Sequence, residues 1–388
     1  MLTRVLRCGA LILIGTSGAI AALEPAPPAY VWNLPHGFPK PRVPADNPMT
    51  AAKVELGRHL FYDTRLSANG TQSCGSCHEQ ARAFTDGKER AVGSTGEVHP
   101  RNSMSLVNIA YAGTLTWANP MLTRLEDQAL VPMFGDHPVE LGWIRPGTAL
   151  LDRLRRDQTY RRLFAAAFDR TSKAFSVDNV VRSIASFERT IISARSPYDR
   201  YHSNRERDAI SAAARRGETL FFSQPFTCFR CHNGFLMGGG VDFDGRERDA
   251  EGGVEFHNTG LYNLAGALSY PPTNTGIYEI TRRAEDVGKF KAPTLRNIAL
   301  TGPYMHDGSI ASLDGVLDHY SAGGRTIVEG PNRGVGHDNV NKSRSVRGFT
   351  LSADQRADFL AFLNSLTDEE LLHDPRFANP WTRPQETR

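Results

Sequence analysis

The chain has 388 residues, of which 40% are hydrophobic and 22% are charged, a composition ordinary for a soluble protein of about two to three domains. Its formal charge is +3, and without Arg4 and Arg7 in the leader 43 basic residues stand against 42 acidic ones. This balance excludes the strongly basic surface expected of a nucleic-acid-binding protein.

Residues 1–21 have the pattern of a secretory signal peptide. Arg4 and Arg7 form the charged start, and the apolar run from Gly9 to Gly18 is too short to span a bilayer. Ala19-Ile-Ala21 fits a cleavage site for small residues. The sequence therefore predicts a periplasmic protein without a membrane span once the leader is removed, and a retained membrane anchor is the alternative.

A proline-rich lead-in at 22–48 suits an extended chain better than a helix. The first domain is predicted at 49–200, where a helix over Ala51–Phe61 leads into Cys74-Gly-Ser-Cys77-His78. Further helices are expected in this domain because apolar residues recur at helical spacing. They are predicted at Leu122–Val131, Leu150–Phe168 and Val177–Ile192.

The polar stretch Ser196–Arg207 marks the predicted boundary, and a second domain is predicted at 201–388. Its first helix, Ala209–Phe222, leads into Cys228-Phe-Arg-Cys231-His232, so this half repeats the order of the first. A capped helix over Ser352–Leu366 is predicted near the end of the chain. Few segments resemble strands, and the predicted class is mainly α.

The pentapeptide Cys-x-x-Cys-His is the attachment site of a c-type haem. Two thiols bond to the porphyrin and the histidine becomes the proximal iron ligand. A thioredoxin-like redox pair and half of a zinc site are the alternatives, but a zinc ribbon places its second cysteine pair roughly 15–20 residues away. Two haems use four of the five cysteines, and Cys8 lies in the leader, so no disulfide is expected.

Together with the two haem motifs, five further segments make the chain similar to the bacterial di-haem cytochrome c peroxidase/MauG superfamily. The segments are Ala83-Phe-Thr-Asp-Gly87, Arg101-Asn102, Leu125-Glu-Asp-Gln-Ala129, Pro293-Thr-Leu-Arg-Asn297 and Gly302-Pro-Tyr-Met-His-Asp-Gly308. Trp117-Ala-Asn-Pro and His319-Tyr320-Ser-Ala-Gly-Gly resemble the MauG side, and more specifically the MbnH branch of metallo-mystery-pair enzymes. The resemblance implies two cytochrome c-like domains, each with one covalent haem, and a haem–haem interface between them.

In ordinary di-haem peroxidases a methionine is the second axial ligand of the C-terminal haem. The resemblance places Tyr320 at that position, as in MauG, and tyrosinate lowers the haem potential and stabilises high-valent iron. Tyr320 could instead be a core residue on an apolar helix face, with Met237, Met305 or His306 as the ligand.

The resemblance assigns the reaction with peroxide to the N-terminal haem. Ser94 stands where ordinary peroxidases often carry a displaceable histidine, which favours a five-coordinate iron, and His99 is near but off register. Glu140 matches the distal glutamate of the family, and Gln128 matches its distal glutamine. His137 is a weaker substitute for Glu140, and both matched residues could instead be surface polar residues.

Trp117 has the family spacing of the tryptophan that carries charge between the haems, and a buried core tryptophan is its alternative interpretation. The resemblance further implies a calcium ion held by the Asn102 side chain and by the backbone carbonyls of Thr301 and Pro303. Asn102 could equally cap a turn. Phe226 replaces the surface tryptophan through which MauG oxidises its substrate, so the exit route is expected to differ, through Trp143, Trp381 or a tyrosine.

These features predict an exported enzyme that uses hydrogen peroxide to oxidise a partner protein. By resemblance, a bis-Fe(IV) state stabilised by Tyr320 draws electrons from an aromatic residue of the partner. For an MbnH-like enzyme the partner is MbnP-like, and a tryptophan becomes kynurenine. One alternative is a cytochrome c peroxidase supplied by a small electron-transfer protein. Another is a non-catalytic electron carrier or haem sensor.

Overall fold

The structure is a computed structural model that describes residues 29–35, 37–168, 172–203, 205–246, 256–266 and 268–382. The predicted leader at 1–21 and the first residues of the lead-in lie outside these ranges. In the part of the chain that is described, no helix is long and apolar enough to cross a membrane.

Helices dominate the described residues, so the prediction of a mainly α protein is confirmed. The first half contains α1 (Ala51–Tyr62), α2 (Cys74–Cys77), α3 (Leu125–Phe134), α4 (Thr148–Arg156), α5 (Gln158–Ala167), α6 (Val177–Glu188) and α7 (Pro197–Ser203). The second half contains α8 (Ala212–Phe221), α9 (Tyr278–Thr281), α10 (Leu313–Ser321), α11 (Ala353–Asn364) and α12 (Glu369–His373).

The described residues contain two short antiparallel sheets of two strands each. Strand β1 (Phe256–His257) pairs with β2 (Phe290–Lys291), with Phe256 opposite Lys291. Strand β3 (Thr326–Ile327) pairs with β4 (Gly334–Val335). Both sheets belong to the second half.

Local capping explains where several helices begin. The Ser352 side chain accepts a hydrogen bond from the Gln355 amide, and the Gln355 side chain accepts one from the Ser352 amide, which confirms the predicted capping box of α11. The single helix predicted over Leu150–Phe168 is wrong, because Asp157 separates α4 from α5. Its carboxylate accepts the amide protons of Thr159 and Tyr160 and so starts a new helix.

The same helix crossing occurs in both halves and depends on one glycine in each. Helix α1 crosses α6 at Gly57, where an added Cβ atom would lie 1.9 Å from the Ser183 carbonyl oxygen. Helix α8 crosses α11 at Gly217, where an added Cβ would lie 1.9 Å from the Asp358 carbonyl oxygen. Each crossing precedes a haem motif, so equivalent scaffolds support the two motifs.

The described part of the lead-in contains no helix or strand and lies across both halves. The Phe38 ring contacts Tyr111 of the first half (6.1 Å between ring centroids) and Phe235 of the second (5.2 Å). The Arg42 guanidinium binds the Asp242 carboxylate at 2.7 Å. The predicted boundary stretch is likewise ordered, because Asp199 of α7 is buried against the Arg296 guanidinium at 2.8 Å.

Candidate haem sites

The first motif forms the single turn α2, which Ser73 and Ser76 cap reciprocally. His78 follows this turn, and its Nδ1 donates a hydrogen bond to the Phe84 carbonyl over 2.9 Å. Phe84 has a φ of 61°, in the left-handed region, which aims its carbonyl at the ring. A bond at Nδ1 fixes the tautomer in which Nε2 is the nitrogen that binds iron.

The second motif repeats this arrangement with a tighter turn over Cys228–Arg230. His232 Nδ1 lies 3.2 Å from the carbonyl oxygen of Met237, which also has a positive φ, 48°. Burial lowers the pKa of His232 to about 4, so the ring is neutral and available to a metal at neutral pH. Both histidines are thus oriented as proximal ligands.

The four cysteines of the motifs are free of disulfides in this structure. Burial raises the pKa of Cys77 to about 12 and that of Cys228 to about 12, and the pKa of Cys74 also rises. Burial thus disfavours the thiolate form that a redox pair needs. The oriented histidine beside each pair, which neither a redox pair nor a zinc ribbon requires at that place, fits covalent haem attachment better.

Tyr320, on α10, lies beside the second motif. Burial raises its pKa, and electrostatic coupling to the titrating thiols of Cys231 and Cys228 adds to that shift, which places the ring near both cysteines. The Tyr320 hydroxyl has no hydrogen-bond partner among the described residues, so its oxygen is available to a metal. Of the competing ligands, Met237 is buried in the core of the second half, and the His306 ring stacks on Phe290 at 3.5 Å.

Glu140 lies near the first motif, because its charge reaches both Cys74 and Cys77. Burial raises the pKa of Glu140 to about 7, so the carboxyl group exchanges protons near neutral pH. Ser94 donates its backbone amide to the Glu140 carbonyl over 2.8 Å, which brings these two predicted distal positions together.

The other candidates for the peroxide side differ in placement. Gln128 is partly buried on α3, and its side chain has no hydrogen-bond partner among the described residues. His137 is exposed, which makes it a poor substitute for Glu140. His99 accepts the Arg101 amide proton at Nδ1 over 3.0 Å, so that nitrogen is already engaged.

A cavity of about 80 Å³ lies between segments that follow the two motifs in the chain. Its lining includes Met104 and Pro293, whose carbonyls lie close enough to His78 and His232, respectively, to oppose the lowering of each ring's pKa by burial. Trp117 also lines this cavity, and its Nε1 donates to the Asn102 carbonyl over 2.9 Å. The hydrogen bond fixes the indole in the cavity wall, and its role between the two haem sites stays a prediction.

The three predicted calcium ligands line the same cavity. The Asn102 side-chain nitrogen lies 3.4 Å from the Pro303 carbonyl oxygen and 2.7 Å from that of Lys88. Neutral oxygens suit calcium when anions or waters complete the shell. As placed, the amide nitrogen faces both carbonyls, so the set fits an ion only if the Asn102 amide turns its oxygen toward Pro303 and gives up the bond to Lys88.

The aromatic residues considered for the exit route differ in exposure. Phe226 is only 8% exposed and packs between Phe349 (4.9 Å) and Phe359 (5.0 Å). Trp143 is 4% exposed, whereas Trp381 is 38% exposed and stacks with Tyr160 at 5.8 Å. Phe226 and Trp143 therefore offer no surface outlet.

A second internal repeat escaped the sequence analysis. Ser105-Leu-Val-Asn-Ile-Ala-Tyr-Ala-Gly113 aligns without gaps with Thr294-Leu-Arg-Asn-Ile-Ala-Leu-Thr-Gly302. In both copies the asparagine has a left-handed φ and starts a short 3-10 turn. The shared Leu-x-Asn-Ile-Ala string was the signal that could have revealed it.

When this alignment is continued in both directions, Asn102 corresponds to Lys291 and Trp117 corresponds to His306. The Asn102 amide donates to the His306 carbonyl over 2.8 Å, and the Lys291 amide donates to the Trp117 carbonyl over 2.9 Å. The centre of the molecule is therefore pseudo-symmetric, and Lys291 is a cavity residue that the sequence analysis missed.

Comparisons with known proteins agree with this geometry. Residues 51–207 match the family described as di-haem cytochrome c peroxidase. The chain is 33% identical to cytochrome-c peroxidase IdrP1 of Denitromonas iodatirespirans, with 87% of both chains covered. It is 32% identical to methylamine utilization protein MauG of Methylorubrum extorquens, which covers 93% of this chain and 92% of the relative.

A solved structure extends the comparison to the fold. The crystal structure of a MauG-like protein associated with microbial copper homeostasis superimposes with a TM-score of 0.88 and 46% sequence identity, over 91% of this chain and all of that one. Two Cys-x-x-Cys-His turns with oriented histidines, the fold and these relatives agree: the chain belongs to the di-haem cytochrome c peroxidase/MauG family, whose members carry two c-type haems.

Proposed function

We propose that this oxidoreductase uses hydrogen peroxide to oxidise an aromatic residue of a periplasmic partner protein, holding the oxidising equivalents in the predicted bis-Fe(IV) form. The observation that carries the proposal is the unbonded hydroxyl of Tyr320 beside Cys228 and Cys231. A tyrosinate at that place is a hard anionic donor, which disfavours the reduced iron and favours loss of further electrons. A methionine ligand acts in the opposite direction.

At the first site Glu140 is proposed to move the proton of peroxide. A group with a pKa near the working pH is the most effective acid–base catalyst, and burial sets the pKa of Glu140 to about 7. Gln128, with an unbonded amide, is proposed to orient the same oxidant. The haem iron supplies the redox chemistry, and the protein supplies the proton and the orientation.

Trp117 is proposed to carry charge between the two haem sites. Its ring lines the cavity that separates them, and the hydrogen bond to the Asn102 carbonyl fixes its orientation. A calcium ion bound by Asn102, Thr301 and Pro303 is part of the proposal, and it would hold the cavity wall that carries the indole.

The partner is proposed to be MbnP-like, and its modified residue a tryptophan that becomes kynurenine. The support is the similarity, at 46% identity, to a MauG-like protein associated with microbial copper homeostasis. Oxidation of tryptophan to N-formylkynurenine adds two oxygen atoms and consumes two molecules of peroxide, and hydrolysis then releases formate. Because Phe226 is buried, the electrons are expected to leave the partner by a route other than that position.

The test begins with the fully oxidised protein. We expect it to react with peroxide without prior reduction and to persist two electrons above the diferric state, as absorption and Mössbauer spectra would report. Tyr320→Phe is expected to remove the low-spin signal of the second haem, and Tyr320→Met to make activity depend on prior one-electron reduction. Mass spectrometry of an MbnP-like protein incubated with this enzyme and peroxide then tests for kynurenine.

A cytochrome c peroxidase supplied by a small electron-transfer protein is the second candidate, favoured by the 33% identity to cytochrome-c peroxidase IdrP1. It predicts that the wild-type protein consumes peroxide only after one-electron reduction. It also predicts an unaltered low-spin spectrum in Tyr320→Phe. Either result would replace the proposal above.

A further inference from the structure

Four lysine or arginine side chains are buried in the part of the chain that the structure describes: Lys53, Arg189, Lys291 and Arg296. Arg189 binds the Glu126 carboxylate at 2.7 Å, and Arg296 binds that of Asp199 at 2.8 Å. Lys53 feels the charge of Glu126. Each of these three cations therefore has a carboxylate nearby, as buried charges require.

Lys291 is the exception. It is 6% exposed, and its Nζ donates one hydrogen bond, to the Thr114 carbonyl over 2.5 Å. No carboxylate of the described residues pairs with it, and burial alone lowers the pKa of its ammonium group to about 8. Most of the lysine is still protonated at pH 7, so an uncompensated cation lines the cavity between the haem sites.

An unpaired buried cation costs several kcal/mol, and its persistence indicates an anion that the protein atoms do not supply. The pseudo-symmetry relates the Lys291 position to one in the other half. Lys291 corresponds to Asn102, and Thr114 corresponds to Pro303, so the Lys291 contact with Thr114 mirrors the Asn102 contact with Pro303. The ammonium nitrogen therefore stands where the Asn102 amide nitrogen stands in the other half, in contact with the corresponding carbonyl.

We propose that Lys291 is a built-in cation that binds a propionate carboxylate of the second haem inside this cavity. Covalent attachment of haem at the second motif would supply propionate carboxylates, which are anions of the kind that this cavity lacks. The assignment to the second haem rests on Pro293, two residues after Lys291, whose carbonyl lies close enough to the proximal His232 to oppose the lowering of its pKa by burial. The pairing neutralises a charge that would otherwise oppose oxidation of Trp117 in the same cavity, whichever substrate the enzyme oxidises.

The experiment compares reduction potentials of both haems, measured by spectroelectrochemistry on holoenzyme with verified haem content. Lys291→Met removes the cation and keeps an unbranched side chain that is one atom shorter. We expect the equilibrium ratio of ferric to ferrous haem at the second site to rise at least tenfold. This change lowers the reduction potential of that haem by about 59 mV for a one-electron couple. Lys291→Arg keeps the charge and should remain near wild type.

Lys289→Met is the matched control, because Lys289 precedes β2, is partly exposed and pairs with Asp286 at 3.0 Å. If Lys291→Met does not fold, Lys291→Gln keeps a donor for the Thr114 carbonyl and removes only the charge. Unchanged potentials in the neutral variants would overturn the proposal, as would an equal shift in Lys291→Arg. A shift confined to the first haem would overturn the assignment to the second.

Discussion

The two halves of this protein share a scaffold and differ in what faces each haem. Gly57 and Gly217 allow equivalent helix crossings, and His78 and His232 donate to carbonyls of residues with positive φ. Near the first motif stands Glu140, a buried carboxyl group, whereas Tyr320 stands near the second. The same helix crossing thus supports two different haem environments. A few side chains distinguish the proposed site of reaction with peroxide from the proposed site where an oxidising equivalent is held.

The largest expected effect tests the first environment alone. Glu140→Gln removes the proton acceptor without changing side-chain size, so the reaction with peroxide should slow roughly 10²–10⁴-fold. Stopped-flow absorption would measure this rate, and both haems should remain attached. His137→Gln, at an exposed position close in sequence, is the control and should stay near wild type. An unchanged rate in Glu140→Gln would show that another group accepts the proton of peroxide.

The next effect tests whether the two scaffolds are equivalent. Gly57→Ala and Gly217→Ala each force a methyl group against a carbonyl oxygen 1.9 Å away. Each should lower the free energy of unfolding by about 1–3 kcal/mol, as urea titration would measure. Thr219→Ala, an exposed change on α8, should stay within about 0.5 kcal/mol. A large loss in one glycine variant and none in the other would break the comparison.

The smallest effect concerns pH. Burial raises the pKa of Glu140 to about 7, so the carboxylate that accepts a proton is depleted as the pH falls below that value. The rate of reaction with peroxide should therefore rise with pH, about tenfold per unit below pH 7, and level off above it. Glu140→Gln should show no such inflection. The same inflection in that variant would assign it to a different group.

Local patterns accounted for the parts of the fold that depend on neighbouring residues. Residues close in sequence form the motif turns and the capping box of α11. Each of α1 and α8 likewise leads into the motif that follows it in the chain. The break at Asp157 was missed because apolar periodicity continues across it while a single carboxylate caps the next helix. Similarly, α7 is ordered by a contact between Asp199 and Arg296, far apart in the chain.

The candidate site also contains residues that the sequence predicted and one that it did not. Glu140, Trp117 and Tyr320 were predicted through resemblance, and the structure brings each to the neighbourhood of a haem motif or the cavity. Lys291 was not predicted, because nothing in its own segment shows that it is buried without a carboxylate. That property depends on Thr114, Trp117 and other residues brought together only by folding.

The hydrogen bond from Trp117 Nε1 to the Asn102 carbonyl has a consequence for electron transfer. A backbone carbonyl is too weak a base to remove the indole proton, even from an oxidised ring. If Trp117 carries charge as proposed, it does so as a protonated radical cation, and no proton needs to move with the electron. Exchange between the two haem sites should therefore proceed at the same rate in heavy water as in ordinary water.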